Sequence, residues 1–160
     1  LAVAFAPEHQ RALEKLLGRL PGHKVLLFTH FRATLQQLAA RLQQLGLSFV
    51  VYHGGLSATE KDEVVRRFER EAQILLSTEA AGEGRNLQFC HTLVNFDLPW
   101  NPLRIEQRVG RLHRIGQAQP VDIYNLSAAG TLEDVEPVVR AVVLGLLWAF
   151  VVTLAWRVSH

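Results

Sequence analysis

The chain has 160 residues, 49% hydrophobic and 20% charged, with a formal net charge of +2. Such a composition excludes a disordered, collagen-like or disulfide-built protein, and the length allows one packed domain but not two large ones. A single cysteine, Cys90, excludes an internal disulfide, and the scattered histidines show no metal-ligand spacing, so no metal site is expected within the chain.

In chain order, LAVAFAP has no basic leader before its short apolar run and does not read as a secretory signal, so a cytoplasmic setting is expected. Methionine is absent, so Leu1 is not an untouched initiator, and a piece of a longer protein is the expected origin. PEHQRALEKLLGRL carries Ala12, Leu13, Leu16, Leu17 and Leu20 as a helical stripe that ends at Pro21-Gly22. KVLLFT is a short apolar run of the strand kind. FRATLQQLAARLQQLG follows with Leu35, Leu38, Leu42 and Leu45 at helical spacing and Gly46 as its stop. SFVVY is again extended. After HGG, the segment SATEKDEVVRRFEREA has Ser57 and Glu60 at capping-box spacing and Val64, Val65 and Phe68 as its apolar face.

QILLS and TLVNFD are two further buried-type strands, separated by the polar, glycine-bearing stretch TEAAGEGRNLQFCH. Asn101-Pro102 opens a helix through RIEQRVGRLHR, and VDIYNL is a last strand. Apolar strands alternating with helices imply an α/β fold: a doubly wound parallel sheet with helices on both faces. In such sheets ligands meet the loops at the carboxyl ends of the strands, here THF, HGG, TEAAGEG and DLPWNP.

No lysine directly follows a glycine, so the chain contains no P-loop, and GEG and HGG are too short to be dinucleotide fingerprints. Between Arg85 and Gln117 five arginines stand against only Asp97 and Glu106. Arg104, Arg108 and Arg111 recur at i, i+4 and i+7, beside an apolar stripe of Ile105, Val109 and Leu112, and Arg114 continues the basic edge. This is either a solvated helix face or an anion-binding one, since guanidinium forks match phosphate oxygens at any working pH. Spacing does not choose between them. Cys90-His91 could suggest a thiol–imidazole pair, but neighbours on a strand point to opposite faces. Asn125-Leu126-Ser127 fits a glycosylation acceptor only by pattern.

The continuous segment STEAAGEGRNLQFCHTLVNFDLPWNPLRIEQRVGRLHRIGQ resembles the fifth and sixth helicase motifs of Swi/Snf-type DNA translocases, a branch of the superfamily two helicases. KVLLFTHF resembles motif four, VVYHGGLS the segment after it, and VDIYNL with TLED the family's last strand and exit. Together they cover Lys24 to Asp134. The resemblance implies the second, C-terminal RecA-like lobe of such an ATPase. Arg111 and Arg114 of QRVGRLHR would be arginine fingers, reaching the γ-phosphate of ATP, held with Mg mainly by a first lobe. In phosphoryl transfer such a finger is typically worth about 10³ to 10⁵ in rate. Gln107, Arg108 and Gly110 would support that cleft.

In motif five, Ser77, Thr78, Glu79 and the turn Gly82, Glu83, Gly84 would couple the cleft to the nucleic-acid backbone, with Asn86 beside them. Glu79 stands where many members carry aspartate. Phe31, His53 and Gly54 match positions near the DNA track, although core packing and a turn also account for Phe31 and His53. His113, where RNA-helicase relatives usually carry glycine, together with RIGQ favours the DNA-translocating branch. The implied partners are the first lobe, double-stranded DNA and ATP, in a DNA-associated setting. The implied activity belongs to an ATP hydrolase that this lobe alone would not complete. A non-catalytic nucleic-acid or protein-docking module, tethered to a membrane through its tail, is the alternative.

From Ala141 to Trp156 sixteen residues carry no charge, between Arg140 and Arg157. As a helix they would span about 24 Å, against roughly 30 Å for a bilayer core, and a membrane is not an expected partner. The chain is therefore divided into a lobe over residues 1–136 and an apolar tail over 137–160, expected as an atypical apolar helix. A docked helix, a short anchor and a non-homologous end all fit that tail.

Overall fold

The computed structural model describes residues 7–78, 87–97, 107–109, 112, 120–126 and, for the backbone, 139–141. The expected alternation holds along it: α1 (Pro7–Arg19), β1 (Val25–Thr29), α2 (Arg32–Gln44), β2 (Phe49–Tyr52), α3 (Ala58–Arg70), β3 (Ile74–Thr78), β4 (Thr92–Asn95), β5 (Val121–Asn125) and β6 (Val139–Ala141). Residues 107–109 and 112 are helical, inside the segment read as the arginine-bearing helix.

The helices begin and end for local reasons. Ser57 accepts from the Glu60 amide and the Glu60 carboxylate accepts from the Ser57 amide, so the capping box predicted for α3 is closed. The Ser57 hydroxyl and then the Ser57 amide, both beside the carboxylate, hold the Glu60 carboxyl below its ordinary range. Helix α2 ends where Gly46, at φ +68°, lets its amide reach the Gln43 carbonyl and that of Leu47 reach the Leu42 carbonyl. A side chain at that left-handed position would be strained, which is why the leucine stripe stops there. The end of α3 is held differently: the Lys24 ammonium donates to the Phe68 and Ala72 carbonyls, both at 2.7 Å, tying the helix to the start of β1.

The six strands form one sheet in the order β2-β3-β1-β4-β5-β6. The first five are parallel. Every residue of β1 and β4 is buried, as strands covered on both faces require. On one face Val25, Leu27, Ile74 and Leu76 pack against Leu13, Leu16, Leu38 and Leu42 of α1 and α2. On the other, Leu26, Phe28, Leu75 and Leu93 pack against Phe68 of α3, and Val109 and Leu112 join them. The period-two alternation along β1 thus feeds two separate cores.

Two features differ from the sequence reading. Leu45, the last member of the α2 stripe, is 40% exposed because the helix has already turned into its cap. Residues 139–141, inside the tail expected as an apolar helix, instead add an antiparallel edge strand on β5, Val121 opposite Ala141, whereas the pattern implied parallel strands only. The rest of the apolar tail, residues 137–138 and 142–160, lies outside the described residues. Among the described residues no helix is long and apolar enough to cross a membrane.

Within one stripe, then, burial separates the leucines. Leu38→Ala should lower unfolding free energy in urea by about 2–5 kcal/mol, the range for a large-to-small change in a packed core, whereas Leu45→Ala should change it by no more than about 0.5 kcal/mol.

Candidate functional site

The connection from β3 to β4 crosses from one side of β1 to the other, so β1 marks the point at which the strand order reverses. Crevices open there, at the carboxyl ends of the strands. The end of β1 is fastened to the end of β4 by one carboxylate: Asp97 accepts from the Thr29 hydroxyl at 2.6 Å and from the His30 amide at 2.7 Å. The Phe96 amide donates to the Phe28 carbonyl at 2.8 Å and continues the parallel pairing one step further.

Arg108 lies against this junction and is only 2% exposed. Its guanidinium sits 4.9 Å from the centre of the Phe28 ring. One terminal nitrogen donates to Asn95 Oδ1 at 2.6 Å and to the Asp97 carbonyl at 3.3 Å. Asn95, itself fully buried, donates to Asn125 Oδ1 at 2.8 Å. The neighbouring Gln107 is exposed. The basic row seen in the sequence is therefore not uniform, because Arg108 is withdrawn from solvent and fastens the helix to β1, β4 and, through Asn95, β5.

Beside this junction a cleft of about 880 Å³ opens, into which residues from five segments converge. His53, Gly54, Thr78, Gln107 and Arg108, all expected at the site, share it. His30 and Gly55 also line it, from the THF and HGG loops expected to meet a ligand, and so do Arg32 and Gln36, which the sequence did not single out. Arg32 and Gln36 stand four residues apart on α2, on the polar side of its leucine stripe, and that spacing was the available signal. Phe28, Leu35, Ala39 and Val51 give the cleft an apolar part. No carboxylate is among its described lining residues, so it suits an anion such as phosphate and offers no ligand set for Mg.

His53 is oriented by its own turn, since Nδ1 accepts from the Gly55 amide at 3.1 Å and a neutral ring then carries its proton on Nε2. A Cβ on Gly55 would come within 3.2 Å of that nitrogen, which accounts for the second glycine of HGG. Ser77 is buried and its hydroxyl donates to the Thr78 carbonyl at 3.0 Å, so it stands behind the cleft wall. Phe31 is 43% exposed, with its ring edge-on to His30 at 5.0 Å, and it caps α2 rather than packing in the core. Glu79, Gly82, Glu83, Gly84, Asn86, Gly110, Arg111 and Arg114 lie outside the described residues.

A parallel α/β sheet with an anion-suited cleft at its switch point defines a lobe of the RecA-like class. The chain belongs to the helicase conserved C-terminal domain family, whose profile matches residues 8–116. It is 50% identical over 111 residues to the uncharacterized ATP-dependent helicase YqhH of Bacillus subtilis (strain 168), covering 69% of this chain and 20% of that protein. It is 42% identical over 127 residues to the RNA polymerase-associated protein RapA of Vibrio vulnificus (strain YJ016), covering 77% of this chain and 13% of that one. Among solved structures, the C-terminal part of the Fun30 ATPase domain matches with a TM-score of 0.69 and 28% identity, over 73% of this chain and 40% of that one. The chain spans only about a fifth of the length of YqhH and less of RapA. The resemblance to the C-terminal RecA-like lobe of Swi/Snf-type ATPases stands on these matches.

Cys90 has no part in the cleft. It lies just before β4, buried, with Sγ 3.1 Å from the Lys24 carbonyl and 3.5 Å from that of Thr92. Burial pushes its thiol up to about 12 from an ordinary 9.0, so at neutral pH it is no nucleophile. The folded state holds this proton more tightly than the unfolded state. Its contribution to stability is therefore complete below about pH 9 and should be lost as pH rises towards 12. A disulfide-exchange reagent at pH 8 should label Cys90 only at the rate of unfolding, and rapid labelling of the native chain would contradict this burial.

Proposed function

We propose that this lobe is the second motor lobe of an ATP-driven translocase on double-stranded DNA, organised as a lobe over residues 1–136 to whose sheet residues 139–141 of the apolar tail add an edge strand. The observation that carries the reading is one cleft shared by His53 and Gly54, Thr78, and Gln107 and Arg108, which come from the segment after motif four and from motifs five and six, without a carboxylate among its described lining residues. In this reading the P-loop lobe binds ATP with its Mg, because no Gly-Lys pair occurs here. Arg111 and Arg114 then approach the γ-phosphate from the motif-six helix and stabilise charge as the bond to the leaving oxygen breaks. Gln107, Arg108 and Gly110 hold that helix at the cleft.

Ser77, Thr78, Glu79, Gly82, Glu83, Gly84 and Asn86 link the nucleotide side to the DNA backbone, and His53, Gly54 and Phe31 lie along the DNA track. A neutral His53 with its proton on Nε2 is a donor suited to a phosphate oxygen. Contacts of this kind read backbone rather than base, so binding is insensitive to sequence and weakened by salt. A cytoplasmic, DNA-associated setting follows from this activity.

The isolated 160-residue chain should show no steady, DNA-stimulated ATP hydrolysis. In a protein joining it to a P-loop lobe, Arg111→Ala or Arg114→Ala should lower kcat by about 10³-fold or more while ATP binding stays largely intact; undiminished hydrolysis would refute the assignment. Fluorescence anisotropy with duplex DNA of two unrelated sequences should give equal affinities that fall linearly on a log–log plot against salt.

A further inference from the structure

We propose that Asn125, on β5 in the segment VDIYNL and given no site role by the sequence, is a positioning residue for the arginine-bearing helix, acting through Asn95 on Arg108. The proposal rests on the functional reading above. Its basis is the directionality of the hydrogen bonds. A guanidinium has donors only, so the group facing Arg108 Nη1 at 2.6 Å must be the Asn95 carboxamide oxygen. The Asn95 amide nitrogen is thereby turned towards β5, where Asn125 must present its oxygen, as it does at 2.8 Å. One charged donor thus sets the orientation of two carboxamides on successive strands, paired in register as Asn95 opposite Asn125.

Asn125 is also joined to its neighbours through the backbone, since the Leu126 amide donates to the Asn95 carbonyl at 2.9 Å. The relay therefore ends on rigid sheet rather than on a loop. Its far end is Arg108, in helical residues 107–109, which Arg111 follows by three positions in the sequence. A shift of Arg108 towards or away from β4 would move that helix relative to the cleft. The same contact gives Asn125 a structural use for its carboxamide that the glycosylation pattern at Asn125-Leu126-Ser127 did not reveal.

The test uses a protein joining this chain to a P-loop lobe, with steady-state ATP hydrolysis as the readout. Asn125→Leu leaves the Asn95 amide without its acceptor, and misplacement by about 1 Å can cost about 10²-fold in rate, so kcat should fall by that order while KM for ATP changes by less than about two-fold. Asn125→Asp keeps the acceptor and should restore most of the turnover. Asn95→Asp should likewise be tolerated, because it still accepts from Arg108 and a flipped Asn125 can donate to it. The double variant Asn95→Asp/Asn125→Asp sets two acceptors face to face and should lose turnover well beyond the sum of the two single changes.

The comparison of the aspartate variants decides the matter if Asn125→Leu does not fold. Wild-type kcat in Asn125→Leu, or an additive double aspartate variant, would overturn the proposal while leaving the functional reading in place, provided Arg111→Ala and Arg114→Ala are inactive. Full turnover in those arginine variants would overturn both.

Discussion

The carboxyl end of this sheet depends on a guanidinium placed where water does not reach it. Removing an ion from water costs several kcal/mol, which hydrogen bonds from its donors and a favourable surface for its charge offset. Arg108 has the Phe28 ring on one side and the oxygens of Asn95 and Asp97 within reach of one terminal nitrogen. Guanidinium is suited to this because it is more weakly hydrated than an ammonium and its flat face packs on an aromatic ring. The contacts belong to β1, β4 and the segment just after β4, so the arginine holds three parts of the chain in one geometry. Asp97 completes the arrangement by holding the Thr29 hydroxyl and the His30 amide with its two carboxylate oxygens.

This arrangement explains why the cleft is where it is. It is lined by the first turns of α2, by β2 and the turn after it, and by the ends of β1 and β3. None of these segments is adjacent in sequence to residues 107–109. Arg108 brings that helix to the junction, and Gln107 reaches the cleft as a consequence. The apolar cores on the two faces serve the same end, since Val109 and Leu112 pack with Phe28, Leu26 and Leu93 on the side opposite α1 and α2.

Much of the fold was legible in the sequence because the signals were local. Leucines at helical spacing, the Ser57–Glu60 capping box and glycines at Gly22 and Gly46 each act within one or two turns, and both glycines have the positive φ their positions required. The cleft was legible in part. THF, HGG, Thr78 and the QR pair were found through strand-end loops and motif order, whereas Arg32 and Gln36 were not, because their wall exists only once α2 is laid beside β1. The Cys90-His91 dipeptide shows the opposite case: nothing in its sequence indicated a fully buried thiol facing main-chain carbonyls, and so a hint of reactivity had no support in three dimensions.

By itself the sequence determined the order of strands and helices up to β5, the α/β class and the membership of the helicase C-terminal family, since these follow from periodicity, turn chemistry and contiguous motifs. Only the tertiary structure decided which of the arginines is a buried anchor, how Asn95 and Asn125 are oriented, and which distant residues share the cleft. The reason is physical. Hydrophobic period and helix capping are set by neighbours a few residues away, but the burial of a charge and the direction of a side-chain hydrogen bond depend on groups separated by many residues and brought together by the packing of the sheet.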